Sequence, residues 1–489
     1  MDNTDLAKGA TVVVVGSGAG GATAFRTLAL AGVDVLLLEE GSDSSSPLGY
    51  HGRLSDLTAR LYRQGGLTPV MGTPPFAFGE GRTLGGTTEI NGGLFWRTPE
   101  WVLDDWSSRG GLGHLSPTLL EPVFADLERD LRSGPTRTLD GYDKDSELLT
   151  HGARSLGWNV VEAQRVVPDC SRSNQCGSGC ATGAKQSMAM TYIPEGVRAG
   201  GRVAPDVRAI SVRTSGVRAT HVLAVTGDGS RIAIPCQEII VSGGALQTPA
   251  LLHRAGLSKA AGKRIGFHLN TKILARFDEE VDAHLGTMFT HQVQEFMRQG
   301  ILIMAANYRP EYLSLAIAGW DNARIESLLA QYRKTAMYTM MVRPRSYGRL
   351  ATTRRGTVPL FRLSAGDRQL LAQGTLRTAE ALFAAGARSV NLPVREGLEV
   401  TTLDQAELAL TAAKAMDWEV SSVHAMASCS MGTGHSDPVD PTGRLRGWQN
   451  VSVADASVLP STVGESPQET VMAMSMLIAR AVAERSNAL

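Results

Sequence analysis

Gly16, Gly18 and Gly21 stand at the spacing G-x-G-x-x-G, and an acid, Glu39, follows Gly16 by 23 residues. The pattern has a mechanism. The first glycine permits a tight turn, the second lets backbone approach a pyrophosphate, and the third lets a helix pack closely on a strand. Glu39 is placed to accept hydrogen bonds from a ribose hydroxyl. The unit fits a dinucleotide but does not by itself separate NAD from FAD. A second glycine-rich block runs Gly81-Arg82-Thr83-Leu84-Gly85-Gly86-Thr87-Thr88-Glu89-Ile90-Asn91-Gly92-Gly93. Its glycines let main chain approach a ligand closely where side chains would collide. Cys170, Cys176 and Cys180 invite a metal reading, but their spacing is not C-x2-C. We expect no metal and read them as buried or redox-capable thiols.

These groups need elements to position them. Residues 11–15, TVVVV, read as a buried strand that runs straight into the glycines. A helical stretch follows to about Ala31. Its first turn, at Ala19, offers unpaired N–H groups and a positive dipole end to phosphates. Val33 to Leu38 reads as a second strand. Residues 43–75 look like loop with a short helix, and 133–150 like loop. Ser116-Pro117 opens a helix to about Leu131. Residues 205–242 alternate in strand fashion. A helix from about Ala365 to Ala385 stops at Gly386. Ser466-Pro467-Gln468-Glu469 has the form of a capping box, with Ser466 as N-cap. The helix after it is apolar nearly all round, so it is expected to be buried.

Four segments together resemble the glucose–methanol–choline (GMC) oxidoreductase family. They are the first glycine unit, the 81–93 block, Gly243-Gly244-Ala245-Leu246-Gln247-Thr248-Pro249, and a C-terminal pair. That pair is His424-Ala425-Met426-Ala427-Ser428-Cys429-Ser430-Met431-Gly432 and Val453-Ala454-Asp455-Ala456-Ser457. Within the family the chain looks most like the long-chain alcohol oxidase-like branch. The residues that carry this are Cys170, Cys176 and Cys180, Gly183-Ala184-Lys185-Gln186-Ser187, Thr191-Tyr192 and Ala384-Ala385-Gly386-Ala387.

The resemblance implies an α/β fold: a Rossmann-type FAD-binding domain with a second, sheet-based substrate domain. The division expected is 1–109, 190–268 and 415–489 for the FAD-binding part, with 110–189 and 269–414 for the substrate part. It implies FAD as cofactor and a small-molecule alcohol as substrate, oxidised to a carbonyl by hydride transfer. Oxygen or another acceptor then takes the electrons. His424 matches the family's catalytic histidine, and an imidazole suits a base because it titrates near neutral pH. Ser466 occupies the place where the family usually has His or Asn. The expected cofactor contacts are Gly16, Gly18, Ala19, Gly21 and Glu39; Gly81, Arg82, Gly85, Gly86, Thr87, Asn91 and Gly92; Ile210 near the adenine; Asp455 and Ala456 near the pyrophosphate; and Pro467, Gln468 and Thr470 at the last helix. A GMC-fold lyase with structural FAD is the alternative reading.

Composition agrees with an ordinary globular protein. Lys+Arg and Asp+Glu both number 48, which argues against a nucleic-acid partner. There is no apolar run long enough for a spanning helix and no secretory signal pattern, so the expected compartment is the cytoplasm. Met288, Phe289, Phe296, Met304, Met337, Met340 and Met341 suggest an apolar pocket for an apolar or ring-bearing alcohol.

Overall fold

A computed structural model describes residues 2–45, 50–109, 111–136, 143–306, 309–353 and 356–487. The β-branched run forms the strand Ala10–Val15, whose last four residues are buried. It pairs in parallel with Val35–Leu38 on one side and Arg231–Val241 on the other. Arg202–Ala204 and Val451–Val453 extend this sheet in parallel at either side. An antiparallel meander through Arg208–Ser215 and Arg218–Val225 brings it to seven strands. The helix Ala19–Leu30 follows the glycine turn and packs on the closing helix Gln468–Asn487. The two helices thus share one layer against the sheet.

A second, twelve-stranded sheet has the long strand Gly266–Arg276 near its centre. Ser421–Met426 and Thr335–Val342 flank it in antiparallel register, and Ile301–Ala305 lies beyond the latter. The helix Ala365–Ala384 packs on this sheet, with Ser364 as its N-cap and Gly386 beyond its end at φ +91°. Each sheet has its own apolar core. One gathers around Val12–Val15, Phe25 and Met472, the other around Phe267, Ile303, Tyr338 and Leu382.

Four strands do not follow the expected chain division. Thr68–Thr73, Phe76–Phe78 and Ser421–Met426 were assigned to the dinucleotide part, yet they run in the second sheet. The strand Gly266–Arg276 crosses the boundary set at 268. Thr68–Thr73 read as loop because Pro69 and Gly72 interrupt its pattern. Within 133–150, Lys144–Ser155 is a helix, while 137–142 lie outside the described residues. Among the described residues no helix is long and apolar enough to cross a membrane.

The closing helix is buried, as its composition requires, and it buries an acid with it. Both carboxylate oxygens of Glu469 lack a hydrogen-bond partner among the described residues. Burial pushes its pKa up to about 9, with Glu128 adding to the rise and Arg97 opposing it. The folded protein therefore keeps a proton that the unfolded chain releases near the ordinary carboxylate pKa. Stability accordingly falls as pH rises from there towards 9. Glu469→Gln is expected to raise the melting temperature by about 1–4 °C at pH 8 and by much less at pH 5, read by thermal denaturation.

Candidate active site

A cavity of about 520 Å³ runs between the two sheets, within the range that holds organic ligands. At one end it is bordered by Gly16, Gly18, Ala19, Glu39, Gly81, Gly86, Thr87, Asp455 and Ala456. Gly18 is the N-cap of the helix Ala19–Leu30 and no side chain caps it. A Cβ placed on Gly18 meets nothing within 4 Å, so the space before this helix end is an open cradle. Close approach explains the other glycines. A Cβ on Gly21 would lie 1.8 Å from the Gly16 carbonyl oxygen, and one on Gly86 would lie 2.8 Å from the Gly18 Cα. Gly21 therefore packs helix on strand without bordering the cavity.

Glu39 borders the cavity, but its carboxylate is already engaged. Oε2 accepts from the Ser17 N–H at 3.0 Å and its hydroxyl at 2.7 Å, and Oε1 accepts from the Gly41 N–H at 2.8 Å. Four lone-pair sites leave room for a ribose hydroxyl as well. Asp455 turns its carboxylate to the next helix start, accepting from the Gly244 N–H at 2.8 Å and from the Thr248 hydroxyl. Several expected contacts sit elsewhere. Val207, Arg208 and Ala209 border the cavity, whereas Ile210 does not, and its carbonyl accepts from Arg254. Arg82, Gly85 and Thr470 do not border the cavity either, and Thr470 shares a hydrogen bond with Thr98 at 2.7 Å.

The glycine block is held from behind. The buried Lys185 ammonium donates to the carbonyls of Glu89 at 2.8 Å, Asn91 at 3.0 Å and Cys176 at 2.8 Å. Arg165 donates to the Gly92 carbonyl at 2.9 Å. A trans peptide sets N–H opposite C=O, so the grip on the Asn91 carbonyl turns the Gly92 N–H away from Lys185. The cysteines belong to this scaffold. Cys176 Sγ accepts from Arg165 at 3.5 Å, and Cys180 Sγ from the Lys185 N–H at 3.4 Å. Among the described residues no group of His, Cys, Asp and Glu is arranged to hold a metal.

At the other end His424, Ser466, Pro467, Gln468 and Asn91 come together around the cavity. Asn91 donates to Gln468 Oε1 at 2.6 Å, which ties the glycine block to the closing helix. The capping box is not formed. The helix starts at Gln468, and Pro467, not Ser466, supplies the carbonyl that accepts from the Val471 N–H. The Ser466 N–H donates to Glu465 at 2.8 Å instead of to the Glu469 side chain. Proline fills the cap position, so the Ser466 side chain is left to border the cavity.

Sequence reasoning missed His268, and nothing local marks it. It lies directly across the sheet from His424, in register on antiparallel strands. Their Nδ1 atoms are 3.2 Å apart and the rings meet edge to face, at 81°. The Gly464 N–H donates to His268 Nε2 at 3.0 Å. His268 is neutral, because burial, helped by His424 and Arg343, holds its pKa well below the usual histidine range. Its hydrogen must then sit on Nδ1, and it points at His424 Nδ1. Burial lowers His424 to about 4, so it too is neutral near pH 7, with its own hydrogen on Nε2. The expected base therefore presents a donor. Glu465, the other missed group, is buried beside Ser466. Burial pushes its carboxyl up to about 7 against the hydrogen bonds from Ser466 and Gln292.

With this geometry in view, family models described as GMC oxidoreductase match residues 58–273 and 344–475, more than half of the chain. The chain belongs to the GMC oxidoreductase family. A GMC-type oxidoreductase of Sinorhizobium fredii, itself uncharacterized, is 35% identical over 99% of this chain and 97% of its own length. A long-chain-alcohol oxidase of Arabidopsis thaliana is 26% identical over 97% of this chain and 68% of its own. Two solved structures share the GMC fold at 16% identity. Pyridoxine 4-oxidase from Mesorbium loti has a TM-score of 0.70, covering 96% of this chain and 99% of its own. A formate oxidase of Aspergillus oryzae has 0.72, covering 97% and 98%.

Proposed function

We propose that this GMC oxidoreductase holds FAD and oxidises the CH–OH group of a small-molecule alcohol to a carbonyl. One observation carries the reading: a single cavity joins the open cradle at Gly18 to His424 and Ser466. Gly16, Gly18, Ala19, Gly86 and Ala456 would hold the pyrophosphate, Val207–Ala209 the adenine end, and Thr87, Asn91 and Gly92 the flavin edge. FAD supplies the acceptor for the substrate hydride.

The chain's own groups handle the hydroxyl. His424 Nε2–H donates to the substrate oxygen and stabilises the negative charge that grows there. His424 becomes a base only if the pair exchanges tautomers, which would turn a His268 N–H against the Gly464 N–H. Glu465 is the group we assign to take the hydroxyl proton: its carboxyl holds the Ser466 N–H at 2.8 Å and titrates near 7, and the Ser466 hydroxyl at the cavity edge would have to relay the proton. The methionines around the chamber favour an apolar carbon frame.

Anaerobic mixing of the holoenzyme with a panel of primary and secondary alcohols tests the reading. At least one alcohol is expected to bleach the flavin absorbance, and added oxygen then shows whether O2 is the acceptor. A panel that leaves the absorbance unchanged, with flavin bound, defeats it.

A further inference from the structure

Two polar side chains on the floor of the substrate end have no hydrogen-bond partner among the described residues. On the strand Gly266–Arg276, Asn270 follows His268 by two residues and so shares its face. Asn270 borders the cavity and is 6% exposed, and its carboxamide makes no hydrogen bond among the described residues. Its partner in register across the sheet is Ser421, which also borders the cavity and whose hydroxyl is likewise unbonded among the described residues. His268 and His424 form the preceding cross-strand pair, ~7 Å along the floor. The register shifts between the two pairs, which brings Ser421 as well as His424 to the cavity. On the other side of Asn270 stands Met341.

Met288, Phe289 and Met304 also border this chamber. In such a wall, a substrate that is hydrocarbon apart from its carbinol would press an unpaired carboxamide and an unpaired hydroxyl against apolar carbon. Stranding a buried polar group costs more than a typical hydrogen bond contributes. A site built to bond a hydroxyl therefore discriminates strongly against the analogue that lacks it. A carboxamide and a serine hydroxyl each donate and accept, so the complementary group is one that does both, a neutral hydroxyl. A carboxylate only accepts, and it would set a negative charge against the Asn270 carbonyl oxygen.

We infer that Asn270 and Ser421 receive a second hydroxyl of the substrate, so the preferred alcohol carries two hydroxyls several carbons apart on an apolar frame. The inference rests on the proposed alcohol oxidation and names the substrate class of that site. The probes are a 1-alkanol and the α,ω-diol of equal carbon number, compared over several lengths by anaerobic flavin reduction. At the best length the diol is expected to half-saturate at about 10–100-fold lower concentration, well beyond the statistical gain from its two equal ends. In Asn270→Leu, which keeps a similar side-chain size, the preference falls towards unity from both sides. The diol then needs a higher concentration, and the alkanol a lower one because no amide is left stranded. A merely structural role would weaken both probes alike. Flavin content and circular dichroism report folding, and if Asn270→Leu does not fold, Ser421→Ala decides by losing part of the preference. A wild-type ratio near unity overturns the inference, and so does a folded variant that keeps the wild-type ratio. If neither probe reduces the flavin, binding decides: the diol must perturb the flavin spectrum at lower concentration in wild type than in the variant, and equal concentrations overturn the inference. The alcohol reading stands or falls separately, on the wider panel of alcohols.

Discussion

His424→Ala is expected to slow reduction of the bound flavin by alcohol by about 10²–10⁴-fold, the usual contribution of a positioned proton-handling group. A second variant separates the two roles open to this residue. Glutamine cannot accept a proton as imidazole does, but its amide N–H reaches much the same place as Nε2–H. If His424 acts as a donor, His424→Gln recovers a substantial part of the loss. If it acts as a base, His424→Gln is as slow as His424→Ala. The pH profile gives an independent reading. With Glu465 as acceptor, flavin reduction rises with pH through a midpoint near 7, since the carboxyl must be ionised to take the proton. With His424 as base the midpoint lies near 4. A midpoint near 4 together with an inactive His424→Gln would return the base role to His424.

Gly18→Val is expected to yield a folded protein that has lost FAD. Its backbone is extended at φ −65° and ψ −170°, which a valine adopts without strain, and no atom lies within 4 Å of the new Cβ. The added methyl groups fill the space that a pyrophosphate would take and screen the helix N–H groups from it. Losing two charge-assisted hydrogen bonds weakens binding by about 10²–10⁴-fold. The check is flavin per protein after purification, alongside circular dichroism. Gly21→Val is the contrasting variant. Its side chain would strike the Gly16 carbonyl, so loss of soluble protein is expected rather than a folded apoprotein. A Gly18→Val protein that keeps full flavin would remove the cradle from the account.

These variants also show which parts of the site were legible in the sequence. Gly16, Gly18, Gly21 and Glu39 were legible because their work is local: a turn, a close approach and a strand end lie within one supersecondary unit. His424 was legible only through the resemblance of its surrounding segment. His268 was not, because it lies 156 residues away and only the antiparallel pairing of two strands sets the rings together. Lys185 and Arg165 stood in the text with no sign that their side chains would hold the carbonyls of the glycine block. The pattern at Ser466 misled for a physical reason. A capping box needs Ser as N-cap, but Pro467 took the position itself, which freed Ser466 for the cavity and Glu465 for its N–H. The sheet boundaries slipped where strands were short and broken by Pro or Gly, as at Thr68–Thr73.

On the proposed function, substrate electrons leave an alcohol carbon and arrive at the bound flavin. The direct measurement is the yield of carbonyl product per flavin in a single anaerobic turnover of the wild-type holoenzyme. Complete bleaching of the flavin is expected, with one carbonyl formed for each flavin reduced. Product formed over many turnovers while the flavin stays oxidised would contradict it and point to a lyase that keeps FAD as structure.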